Sequence, residues 1–142
     1  MFALRYHDGS RMELPAPDLG EAMRALVREG AASLEIEGEP MRVLERSVAV
    51  AELGLSRPGL LDTYSANWQP PTTDEFREAM RVGKLTGSTA GRLLGVRPEK
   101  IRKWAGGNGN DIPYAVWRIL TVYCRLVAPD FAEASERYLK DI

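Results

Sequence analysis

Apolar and polar positions follow two different periods along this chain, and the change divides it. Phe2, Leu4 and Tyr6 alternate with Ala3, Arg5 and His7, the period of two that marks a half-buried strand. Asp8-Gly9 supplies the positive-φ dipeptide of a tight hairpin, so Arg11 to Leu14 is predicted to return as a second strand. Pro15 and Pro17 end it. Leu19, Ala22, Met23, Leu26 and Val27 then fall on one helical stripe. Asp18 with Glu21 three residues on predicts a capping box at its start, and Gly30 closes it. Residues 33–37 and 41–46 form a second predicted strand pair, turned by Gly38-Glu39-Pro40. The order is ββαββ, a small α+β module over residues 1–50. Glu35, Glu37 and Glu39 alternate along what is expected to be an edge strand, where charge discourages pairing with other chains.

Residues 51–71 are expected to be a linker. Residues 48–55 suit a short helix or a strand, and Gln69-Pro70-Pro71 marks a joint. Trp68 is expected to pack against one of the modules. Beyond the joint the period is helical, and residues 72–142 are predicted to form an all-α domain of four to five helices. Thr72 or Thr73 caps the first, over 74–82, with Phe76, Ala79 and Met80 inward. Thr86, Gly87 and Ser88 open a second, and Pro98 takes the favoured first position of a third, over 98–105. Pro113 starts a longer helix to about 127, with Ala115, Val116, Ile119, Leu120 and Tyr123 as its apolar face and Arg118 and Arg125 on the other side. Residues 131–139 suit a final short helix.

Charge sharpens this division. The whole chain of 142 residues has a net charge of −1, but residues 1–71 carry 7 basic and 11 acidic side chains. Residues 72–126 carry 10 basic and 5 acidic ones, and the tail 2 and 4. A basic middle between acidic flanks directs any polyanion to the helical part. The single cysteine, Cys124, fits a reducing cytosol, and no apolar run is long enough for a membrane span, so a cytoplasmic protein is expected.

Residues 85–107, LTGSTAGRLLGVRPEKIRKWAGG, carry the most information. Two helices meeting at a steep angle need a small residue at their approach, a glycine at the turn and apolar residues that lock them. Gly91 is the small residue, Gly95 the turn, and Ala90, Leu94, Val96, Ile101 and Trp104 the lock. This segment resembles the Cro/repressor-type (Xre-like) helix-turn-helix family, over residues of about 73–127. The resemblance implies that the second helix of the pair reads the DNA major groove. Arg97, Pro98, Glu99, Arg102 and Lys103 then stand where that family touches bases, with Lys84, Ser88 and Lys100 toward the phosphate backbone. Glu99 either accepts from a cytosine amino group or orients Arg102 or Lys103, the second being slightly favoured. Two departures stand out. Gly87-Ser88-Thr89 replaces the usual polar opening, often Gln, and Gly91 replaces the commoner alanine at about 1 kcal/mol of helix propensity.

Other chemistry is poorly supported. One His and one Cys supply no zinc site, no Ser/His/Asp set closes around His7, and the Gly-Asn loop 106–110 lacks the Lys-Ser or Lys-Thr of a P-loop. Neither an enzyme nor a metal or cofactor is expected. The expected function is a sequence-specific DNA-binding repressor, a homodimer on an inverted repeat of double-stranded DNA. The alternative is an inhibitor or antitoxin whose N-terminal module binds a protein partner while the helical module controls its own operon.

Overall fold

The computed structural model describes residues 1–107 and 111–128. It begins with β1 (Phe2–Arg5), β2 (Arg11–Leu14), α1 (Leu19–Arg28), β3 (Ser33–Ile36), β4 (Arg42–Glu45) and α2 (Arg46–Glu52). Four helices follow: α3 (Thr73–Val82), α4 (Gly87–Leu94), α5 (Pro98–Ala105) and α6 (Tyr114–Tyr123). The ββαββ order is as expected; of the ambiguous stretch 48–55, residues 48–52 are helical, in a helix that already begins at Arg46, the expected end of the last strand. The suggested helix over 131–139 lies outside the described residues, as do 108–110 of the Gly-Asn loop.

The sheet order is β2-β1-β3-β4, with antiparallel neighbours throughout. β3 is therefore interior, which corrects the edge-strand expectation for Glu35. That side chain is only 7% exposed and accepts from Arg5 Nη2 and Arg11 Nε, each at 2.7 Å. Alternation cannot reveal which strand has neighbours on both sides. The α1 crossover decides that, by returning β3 beside β1 rather than beyond β2. Arg11, followed by Arg5, holds the Glu35 carboxyl below the usual carboxylate range. Stability from this pairing is accordingly present above the unfolded carboxylate pKa and is lost as the pH falls through the folded value.

Leu4, Ala22, Met23, Leu26, Leu34 and Ala49 form a core between the sheet and helices α1 and α2. Asp18 caps α1 through the Glu21 amide at 2.8 Å, but the capping box is only half made. Glu21 instead accepts from Arg24 at 3.3 Å and lies 3.9 Å from Arg28. A second core surrounds Phe76, Trp104 and Trp117, and Val27 of α1 belongs to it. Leu55 and Leu60 are fully buried in this core, and Trp117 Nε1 donates to the Leu60 carbonyl at 2.9 Å. Trp68 packs against the same core, edge-on to Tyr114 at 5.4 Å.

Charged side chains join the two cores. Arg24 donates to Glu78 through Nε at 2.7 Å and Nη2 at 3.1 Å, and Arg28 donates to the Val82 carbonyl at 2.8 Å. Arg125 donates to the Arg28 carbonyl at 3.0 Å. Glu78 is 8% exposed, so Glu78→Ala leaves Arg24 without its main acceptor. The expected loss is about 2 kcal/mol, read as a lower Tm of the full chain. An unchanged Tm would show that this contact contributes nothing to the joint.

The last helix corrects another expectation. α6 is shorter, ending at Tyr123, and buries Trp117, Arg118, Leu120 and Thr121. Ile119 and Tyr123, expected inside, are 47% and 50% exposed. α6 is apolar nearly all round, so its period does not select a face. Arg118 is buried and donates to the Leu61 carbonyl at 2.9 Å, while exposed Arg125 reaches the backbone of α1.

Candidate nucleic-acid interface

α4 and α5 form a corner whose parts are explained by local chemistry. Thr86 caps α4 in a full capping box with Thr89. Gly95 ends α4 in the left-handed region at φ 67°, where a side chain would be strained. The chain then turns so that the Val96 amide donates back to the Gly91 carbonyl at 3.0 Å. Arg97 occupies the N-cap of α5 and Pro98 its first turn, where no amide hydrogen is needed. Ala90, Leu94, Ile101 and Trp104 are buried between the elements, and Trp104 meets Phe76 edge-on at 5.9 Å.

Gly91 is what lets the turn close. A Cβ there would lie 2.6 Å from the Val96 carbonyl oxygen and 3.5 Å from the Pro98 ring. The lost helix propensity therefore accommodates a backbone contact. Gly91→Ala is expected to destabilise by about 1–3 kcal/mol in spite of alanine's better propensity. Thermal denaturation checks this, and a raised Tm would mean that the turn does not need the close approach.

The outward side of the corner is cationic. Arg102 and Lys103 are exposed on α5 and Arg97 at its N-cap, as are Lys84 before α4 and Ser88 in its first turn. The Arg102 side chain lies across the opening of α4, its Cγ and Nε 3.5 Å from where a Gly87 Cβ would stand. Pro98 is half-buried and packs on Gly91. Lys84 adopts φ 54°, a left-handed residue ending α3, with its amide donating to the Arg81 carbonyl at 3.1 Å.

Two of the expected site residues behave differently. Lys100 turns toward Asp111, with 3.4 Å between Nζ and Oδ2, and stands 5.6 Å over the Trp104 ring. Asp111 also accepts from Trp104 Nε1 at 2.9 Å, a bond that, with Lys100, holds its carboxyl below the usual range. Asp111 thereby fastens the segment after the Gly-Asn loop to α5. Glu99 is exposed and makes no ion pair with Arg102 or Lys103 among the described residues, so its orienting role has no support in the geometry. Arg92, exposed on α4 one turn after Ser88, joins the cationic side without having been expected there, its signal in the sequence being that i+4 spacing. Asp111 is likewise unexpected, although a buried indole needs an acceptor.

No family model matches the chain, and no solved structure does. Among curated proteins, a transcriptional repressor protein KorC of Escherichia coli is 40% identical over 62 residues, which cover 42% of this chain and 72% of that protein. The chain belongs to the KorC family of transcriptional repressors. A second KorC from Escherichia coli is 41% identical over 56 residues, covering 37% of this chain and 65% of its own length. More than half of this KorC-family chain thus lies outside the matched stretch. No helix among its described residues is long and apolar enough to cross a membrane.

Proposed function

We propose that this chain is a sequence-specific DNA-binding repressor in which α4 and α5 act as a helix-turn-helix of the Cro/repressor type. Membership of a repressor family supports the biological role. The observation that carries the chemistry is the α5 surface: Arg102 and Lys103, with Arg97 at the N-cap, are exposed on a helix braced from behind by Ile101 and Trp104. A helix fits the major groove, where cationic side chains reach guanine edges and phosphates.

In this reading α5 enters the groove with Arg102 and Lys103 toward the bases and Arg97 at its mouth. Glu99, free of an ion pair to its neighbours on α5, accepts from a cytosine amino group. Ser88, Arg92 and Lys84 approach the phosphates, and Lys100 contributes less because Asp111 engages it. Residues 72–142 read DNA, residues 1–50 support self-association, and 51–71 join them. One short helix reads few base pairs, so the working species is a homodimer on an inverted repeat in the cytoplasm. Repression then follows from occlusion of a promoter.

Selection from a random-sequence duplex pool tests this reading. A two-fold symmetric site should be enriched, and a pool without enrichment would refute sequence-specific binding. On the selected site, Lys84→Ala should weaken binding equally for all variants of the site and lower the salt slope by about 1. A Lys84→Ala protein with altered base preference would put that residue at the bases.

A further inference from the structure

We infer that the free edge of β2 pairs with β2 of a second copy about a two-fold axis at Met12, so that the four-stranded sheet becomes eight-stranded in the dimer. The inference rests on the dimeric part of the proposed function and is independent of its DNA chemistry.

The register follows from the hairpin. The Tyr6 amide donates to the Ser10 carbonyl at 2.9 Å, making Tyr6 and Ser10 a hydrogen-bonded pair. Antiparallel pairs alternate, so Leu4 and Met12 bond each other, whereas Arg11 and Glu13 direct their amides and carbonyls away from β1. β2 pairs only with β1 among the described residues, which leaves these backbone groups available. Pro15, next in the same phase, has no amide hydrogen and limits the edge on that side.

Side chains select the axis. Directly opposed residues share a face, so the two-fold axis must pass through a residue of the strand. An axis at Arg11 opposes two arginines, and one at Glu13 opposes two glutamates. An axis at Met12 sets each Arg11 opposite the partner's Glu13, twice, with backbone hydrogen bonds between them. Arg11 gives only its Nε to Glu35, and Glu13 forms no ion pair among the described residues, so both retain capacity for this contact. Met12, 45% exposed, then meets its own copy. The occupant of this edge is a second copy because the strand complements itself in charge.

Disulfide trapping in the full chain tests the register without DNA. Opposed residues of a non-hydrogen-bonded pair lie about 4.5 Å apart at Cα, within the span of a disulfide at about 4.4–6.8 Å. Cys124 is fully buried and its thiol is pushed up to about 12 by desolvation, so it does not compete. Met12→Cys, Val43→Cys on the opposite edge and Ile119→Cys on α6 are each oxidised with diamide. Met12→Cys should give the covalent dimer as its main product, at least about tenfold faster than Val43→Cys, and adding Glu13→Arg should slow it about tenfold by opposing like charges. Sedimentation of Glu13→Arg alone, without the cysteine, should show a shift from dimer toward monomer. A Met12→Cys rate equal to that of Val43→Cys, fastest trapping at Ile119→Cys, or unchanged association of Glu13→Arg would each overturn the inference.

Discussion

Ile101→Asp unfolds the helical part of the molecule. Ile101 is fully buried with Ala90, Leu94 and Trp104, where the corner closes on Phe76 of α3. A carboxylate there either remains charged without a partner or takes up a proton, and each course costs free energy. Shape is lost as well, because a branched apolar side chain filled the site. The expected destabilisation is about 4–5 kcal/mol, near the full stability of a small domain. Val27 and Arg24 tie α1 to the same core, so the loss should spread to the sheet. Circular dichroism and thermal denaturation read the result. A soluble variant that still melts cooperatively near the wild-type temperature would show that α4 and α5 do not pack as described.

Arg102→Ala combined with Lys103→Ala should lower affinity for the preferred site about a hundredfold or more, with helical circular dichroism unchanged. Both side chains are exposed, and neither forms an ion pair among the described residues, so the fold loses little. Each good contact to a guanine edge or phosphate is worth about 1–3 kcal/mol, which makes the double change large for binding and small for stability. Arg102 also covers Gly87, so the double change lowers Tm by about a few degrees at most. Equal affinity of wild type and double variant would remove α5 from the interface.

The sequence made the corner legible because its parts are local. A left-handed glycine at 95, a proline at the start of α5 and apolar residues spaced for one face are set by backbone sterics and helix periodicity. The four strands and α1 were legible for the same reason, including the hairpin at Asp8-Gly9, where Gly9 but not Asp8 takes a positive φ, whereas the stretch that forms α2 read equally well as a strand. Strand order was not. Whether Glu35 lies at an edge or in the interior depends on where α1 returns the chain, a long-range outcome that alternation does not encode. The buried face of α6 was misread because Ile119 and Tyr123 are as apolar as Leu120, so hydrophobicity gave no contrast. In the candidate interface, the exposure of Arg102 and Lys103 followed from their spacing around Ile101 and Trp104. The diversion of Lys100 to Asp111 did not, because it depends on a contact between residues eleven apart in sequence.

The central claim, that α5 lies in the major groove, is tested most directly by dimethyl sulfate protection on the selected site. The reagent methylates guanine N7, which faces that groove. Wild-type protein should protect guanines symmetrically in both half-sites, and Arg102→Ala should restore methylation at a guanine in each. Unprotected guanine N7 atoms on a duplex the protein still binds, or protection that Arg102→Ala leaves intact along with full affinity, would contradict it.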